Sequence, residues 1–449
     1  MLHETGSTFD DESPKVHELL IEDELEAAFS EEENRLIEIQ TEIASVMTIE
    51  QEEYPEDRQP FEEQGADLIL LSKDSRVLAV FRGQLTLDSE QAYEQLDTTF
   101  KELNVLPVFR QDNNQDVIYA IDGRPMPAEG GGWTALILFV ITIFTVLMTG
   151  ATMALSQLQA SDPQAIENIN NIFPELWRGI PYAFSILLIL GAHELGHYFM
   201  SRYHGVAASL PYFLPSPFGF FGTFGAAIRL REPMKNRKIL FDIGVAGPLA
   251  GLVFAIPILF IGLATSPVNT VSGGLVEGNS IFYALAKIIT FGRFLPSGGE
   301  DVFVNQLAWA GWTGLFVTGL NLIPLGQLDG GHVMYSLIGK KARRLYYPIV
   351  ASLALIIYLT NPAFVVILLL LVFLGRVNAV PLDDITPLDP RRRLLAIFAL
   401  AIFVLTFVPV PLSEAQAAPV IQDIPADISL TIFVAFVFLK ARSWRWMRG

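Results

Sequence analysis

The feature that most limits what this chain can fold into is a succession of long apolar runs after Gly130-Gly131-Gly132. They lie near 133–156, 180–201, 239–265, 303–325, 345–360, 362–378, 393–411 and 428–440, and are read as long enough to cross about 30 Å of hydrocarbon. A backbone in lipid must satisfy its own polar groups, so the expectation is a mainly α fold, a polytopic membrane helix bundle of about eight spans. The stretch 279–292 is shorter and carries Lys287, and is expected to be interfacial or partly inserted. With 51% hydrophobic and only 17% charged residues, most of the chain is matched to lipid rather than water.

Charge is segregated. The formal net charge of -18 resides in residues 1–64, and the rest of the chain is neutral overall. An acidic segment of this kind repels phosphate, so nucleic acid is excluded as a partner. It reads as a mobile tail, part helical where Val16 to Val46 has Leu and Ile at helical spacing. Residues 65–129 read as a small soluble α/β domain: Leu68 to Leu71, Val77 to Phe81, Leu106 to Phe109 and Val117 to Ile121 are short strand patterns. Asp88 with Gln91 opens a helix to about Leu103. Residues 130–449 form the membrane domain.

Basic residues set the orientation. Arg202, the 229–238 loop, the 340–344 loop, Arg391 to Arg393 and the end from Lys440 fall on one side of an eight-span bundle. By the positive-inside rule that side, with both termini, is cytoplasmic. The absence of cysteine rules out thiolate metal sites and cysteine nucleophiles.

Within the second run the sequence reads His193-Glu194-Leu195-Gly196-His197. On a helix, residues four apart share a face, so two neutral imidazoles can hold one Zn2+ while Glu194 reaches the attacking water as general base. Ionisable groups inside a span are costly and persist for function. A catalytic zinc needs a third protein ligand. Met200, Tyr203 and His204 do not complete the extended metzincin spacing. Asp329 is the candidate, because Asn321-Leu322-Ile323-Pro324-Leu325-Gly326-Gln327-Leu328-Asp329 ends an apolar run in a helix-breaking stretch. His332, three residues on, is a rival ligand. Gly247 and Gly251 form GxxxG, first of all a close-packing face.

HExxH in one run, Gly247-Pro248-Leu249-Ala250-Gly251 in the next and NxxPxxxxDG in a later one together resemble the site-2 protease family of intramembrane zinc metalloproteases. The resemblance covers roughly residues 180–345. It implies His193, His197 and Asp329 as metal ligands, Glu194 as base, and Asn321 as a polar group near the oxyanion. The acidic extension, the α/β module, the extra runs and the text Phe221 to Pro233 are similar to the cyanobacterial and plastid branch named for ethylene-dependent gravitropism-deficient and yellow-green plants. An acidic N-terminus without a basic leader points to a bacterium, with a plasma or thylakoid membrane as the site.

Pro211 to Gly225 holds three prolines and three glycines among aromatics, too broken for a helix and too apolar for a solvated loop. A re-entrant hairpin fits both facts, and in the resembling family such a hairpin lies beside the zinc and pairs with extended substrate. The expected reaction is zinc-assisted amide hydrolysis within or next to a transmembrane segment of a single-span membrane protein, as in regulated intramembrane proteolysis. A metal transporter would need further ligands along a path. A silent scaffold would not need to retain all four of His193, Glu194, His197 and Asp329.

Overall fold

The computed structural model describes residues 32–55, 66–67, 76–125, 131–161, 172–217, 220–270, 275–360 and 364–414. The first 31 residues of the acidic segment and the 428–440 run lie outside them. The chain divides into two compact units, residues 1–61 with 74–124, and residues 62–73 with 125–449.

In the first unit, α1 (32–46) leads directly into β1 (Met47–Glu53), so ordered structure begins well before residue 65. The reason is apolar: Ile39, Ile43 and Val46 recur at helical spacing and are fully buried despite the acidic residues around them. The sheet has the antiparallel order β1-β3-β5-β4, with β3 (Val77–Leu85), β4 (Val105–Asp112) and β5 (Gln115–Asp122). Asn113 and Asn114, at φ 48° and 70°, make the tight β4–β5 turn, a conformation asparagine tolerates. Between β3 and β4 runs α2 (Ser89–Glu102), capped by Asp88, whose carboxylate accepts from the Glu90 amide at 3.1 Å. Its buried face is Ala92, Tyr93, Leu96 and Phe100.

The second unit is helical. Its elements are α3 (Gly132–Ser161), a 3-10 turn at Phe173–Gly179, α4 (Ile180–Tyr203), the hairpin strands β6 (Tyr212–Pro215) and β7 (Thr223–Ala227), and α5 (Arg237–Ala264). Next come β8 (Val268–Thr270), β9 (Leu275–Glu277), α6 (Ile281–Phe291), β10 (Glu300–Val302) and α7 (Gln306–Asn321). The chain continues through α8 (Asp329–Ile338), a 3-10 turn at Gly339–Leu345, α9 (Tyr346–Thr360) and α10 (Val365–Gly375). The described residues end with β11 (Asn378–Ala379), α11 (Pro390–Thr406) and β12 (Leu412–Glu414). Strand β2 (Ala66–Asp67) pairs in parallel with β11, β8 with β10 and β9 with β12.

Among the described residues, four helical runs are long and apolar enough to cross a membrane: 132–159, 173–203, 237–264 and 329–360. The runs at 303–325, 362–378 and 393–411 overlap helices of 16, 11 and 17 residues. Apolar run and helix part company where the backbone is broken, as at α7, which stops at Asn321 ahead of Pro324.

Residues 279–292, expected to be interfacial or partly inserted, contain α6. The α6 residues Tyr283, Ala286 and Lys287 face inward, while Ile281, Leu285, Ile288 and Ile289 face outward. Lys287 is fully buried, with its ammonium 3.0 Å from Asp301 and 3.1 Å from Glu277, which also accepts from the Tyr283 hydroxyl at 2.8 Å. A charge so placed is retained only with such partners.

Candidate metal centre

Helix α4 carries His193, Glu194 and His197 on a buried stretch, the two imidazoles one turn apart with ring centroids 4.9 Å from each other. Asp329 arrives from the opposite side. Helix α7 ends at Asn321, and the chain doubles back through Leu322 to Leu328 before α8 begins at Asp329. That reversal needs glycine. Gly326 takes φ 47°, and a Cβ on Gly330 would lie 2.0 Å from the Leu322 carbonyl oxygen. Close folding of the turn over the start of α8 is what aims the Asp329 carboxylate at α4.

The ligand-type atoms converge. His193 Nε2 lies 3.2 Å from Asp329 Oδ2, His197 Nε2 lies 3.4 Å from Asp329 Oδ1, and the two Nε2 atoms are 3.2 Å apart. A tetrahedral ion with bonds of about 2.0–2.1 Å separates its donor atoms by about 3.3 Å, so these edges suit zinc with nitrogen and carboxylate donors. Among the described residues this trio is the group of three histidine or acidic side chains that could hold a metal. His197 Nδ1 donates to the Ile243 carbonyl at 2.7 Å, which fixes the ring plane and leaves the Nε2 lone pair directed at the trio.

Two further groups complete the centre. The Glu194 carboxylate accepts from the backbone amide of Ile228 at 2.8 Å, just beyond β7, so the hairpin holds the side chain beside the trio. Asn321 brings Nδ2 within 3.3 Å of His193 Nε2. Ile228 escaped the sequence reading because a main-chain donor has no residue signature. His332 stands apart from the trio. It packs against α5, where a Cβ on Gly244 would lie 2.8 Å from its own Cβ, and its Nδ1 is buried without a hydrogen bond. His204 pairs instead with Asp242 at 2.9 Å.

Helix α5 closes the floor. A Cβ on Gly247 would lie 2.1 Å from His197 Nε2, and one on Gly251 would lie 3.3 Å from the His193 Cβ. The GxxxG face is thus a packing face whose partners are the two imidazoles themselves.

The 211–225 segment is a β-hairpin, with Tyr212 opposite Ala227 and Phe213 opposite Ala226. Its turn is anchored where the Tyr182 hydroxyl donates to the Phe221 carbonyl at 2.8 Å, and where the Phe221 ring stacks on Trp309 and Trp312 of α7.

Residues 181–368 match Peptidase family M50. The chain is similar to probable zinc metalloprotease EGY2, chloroplastic, of Arabidopsis thaliana, with 29% identity over 350 residues, 74% of this chain and 60% of that protein. It is 30% identical over 291 residues to probable zinc metalloprotease EGY1, chloroplastic, of the same plant, covering 62% of this chain and 53% of that one. The rice (Oryza sativa subsp. japonica) EGY1 protein is 29% identical over 291 residues, or 61% and 50% of the two chains. The chain therefore spans between half and three-fifths of the length of these curated relatives. No solved structure matches it. The HExxH helix, the convergent aspartate after the broken α7 and this pattern of similarity lead to one assignment: residues 181–368 are a peptidase family M50 domain.

Proposed function

We propose that this protein is an intramembrane zinc metalloprotease that hydrolyses peptide bonds in or next to the transmembrane segment of a single-span membrane protein. The observation that carries the reading is the convergence of His193, His197 and Asp329 at 3.2–3.4 Å with the Glu194 carboxylate fixed beside them. His193, His197 and Asp329 hold the metal. Zinc bound there supplies Lewis acidity, polarising the scissile carbonyl and making the attacking water more acidic.

The remaining work falls to the chain. Glu194 takes the proton from the attacking water and passes it to the leaving amine, while the Ile228 amide keeps its carboxylate oriented. Asn321 offers an amide N–H where negative charge develops on the carbonyl oxygen. A helical substrate hides its carbonyls, so it must unwind to enter. Hairpin β6–β7 is re-entrant and receives the extended segment by strand addition. The bundle has eight spans, with the basic loops and both termini on the cytoplasmic side.

The test is cleavage of a model single-span substrate in detergent, with metal content measured on the same preparations. His193→Ala, His197→Ala and Asp329→Ala lose zinc and activity together. Glu194→Gln keeps zinc and loses about 10²-fold or more in turnover. Normal cleavage by Glu194→Gln overturns the mechanism.

A further inference from the structure

Two turns beyond His197 on the same face of α4, at the helix end, His204 places Nε2 at 2.9 Å from Asp242 Oδ2. The same carboxylate is gripped from a third helix. Arg392 of α11 reaches it with both prongs, Nε at 2.8 Å from Oδ1 and a terminal nitrogen at 2.7 Å from Oδ2. The remaining guanidinium nitrogen of Arg392, Nη1, lies 2.6 Å from Asp389, which caps α11 through the amides of Arg391 and Arg392. All of these groups are half-buried. Asp242 is therefore the point at which α4, α5 and α11 are tied together.

What lies next to that point gives it a role in the chemistry. The residue after Asp242 is Ile243, whose carbonyl accepts the His197 Nδ1–H at 2.7 Å. Gly247, one turn further, lies directly against the His197 ring. Rotation or sliding of α5 by about an ångström would move both together, withdrawing the carbonyl on one side and pressing the backbone on the ring from the other. Helices packed across glycine can turn or slide unless a directional contact stops them. A bidentate guanidinium–carboxylate pair is directional where a packing face is not.

We infer that Asp242, clamped between His204 and Arg392, is a positioning residue that sets the register of α5 and thereby holds His197 in its metal-binding orientation. The inference rests on the zinc-centre reading above. The residue does not touch the reacting atoms. It acts through the Ile243 carbonyl, so its removal costs metal affinity in a protein that still folds.

The experiment measures the zinc Kd of the detergent-purified full chain by chelator competition, and the Tm of the metal-free protein, for wild type, Asp242→Asn, Arg392→Lys and the double variant Asp242→Asn/Arg392→Gln. Asp242→Asn is nearly isosteric, and it weakens zinc binding about tenfold, the lower end of the effect of disturbing a ligand's hydrogen-bond partner. Arg392→Lys keeps the charge, loses the two-pronged contact and shifts Kd in the same direction, which covers the case in which Asp242→Asn fails to fold. Because the residues act as one unit, the double variant binds zinc no more weakly than Asp242→Asn alone. A lower metal-free Tm with an unchanged zinc Kd overturns the inference, leaving a purely structural clamp. Failure of wild type itself to bind zinc overturns the metal-centre reading instead, and the two failures are distinguished by that one measurement.

Discussion

Gly247→Ala adds one carbon beneath the proposed metal centre, and the structure fixes where that carbon goes. It would lie 2.1 Å from His197 Nε2, 2.4 Å from Cδ2 and 2.5 Å from Cε1, where ordinary contact begins near 3.4 Å. Something must therefore give by about 1.3 Å. If the ring moves, Nε2 leaves a position that metal coordination tolerates to only about 0.2 Å. If α5 moves away instead, the Ile243 carbonyl is carried off His197 Nδ1, from which it now accepts at 2.7 Å. Both routes cost the ligand. The overpacking strain on the fold is about 1–3 kcal/mol, while zinc affinity falls by about 10²-fold or more, approaching the loss in His197→Ala. Gly251→Ala is the internal control, since its Cβ meets His193 at 3.3–3.4 Å and needs only a few tenths of an ångström. Chelator competition on purified Gly247→Ala and Gly251→Ala decides the matter, with cleavage of a single-span substrate as second readout. Wild-type zinc affinity in Gly247→Ala, or equal losses in the two variants, refutes the reasoning.

Three other outcomes are expected. Ile228→Pro removes the amide that orients Glu194, so turnover should fall about tenfold, near 1.5 kcal/mol for a hydrogen bond to a charged group, with zinc content unchanged; parallel loss of zinc would show a wider collapse. Burial holds the Glu277 carboxyl above the ordinary glutamate range, against the opposing pull of Lys287. A raised carboxyl favours the folded state at acid pH, and that contribution is lost as pH rises through the folded value, so Tm should fall across this window and the fall should flatten in Glu277→Gln; an identical pH slope in the variant would refute it. Single cysteines at positions 235, 342 and 446 should react with an impermeant thiol reagent from the side opposite to position 420, and labelling of 235 and 420 from one side would end the eight-span reading.

The centre was legible in the sequence to the extent that it is written in side chains on regular elements. His193, Glu194 and His197 are read from the four-residue period of a helix, and Asp329 from the Pro324–Gly326 break that unwinds the chain ahead of it. What the centre owes to the main chain was not legible. The Ile228 amide and the Ile243 carbonyl carry no residue code, and only packing reveals that Gly247 lies against His197. Fold legibility has a similar boundary. The buried stripe of Ile39, Ile43 and Val46 was visible as an amphipathic helix, yet the surrounding acidic residues placed it in a tail rather than in the sheet domain it joins. Apolar runs set the number of spans expected, but helix length follows the breaks, as in the 16 residues of α7.

The ion set around Lys287 bears on how the protein is assembled. Glu277, Tyr283, Lys287 and Asp301 all belong to the single connection between α5 and α7, so no distant part of the chain has to arrive before they can meet. In synthesis order Glu277 emerges first, then the lysine, and Asp301 last. Until Asp301 emerges, burying Lys287 leaves it with one carboxylate rather than two. Full charge compensation of Lys287 therefore needs the whole connection from Glu277 to Asp301, and α7, which carries Asn321 toward the trio, begins just four residues beyond the strand that delivers the last carboxylate.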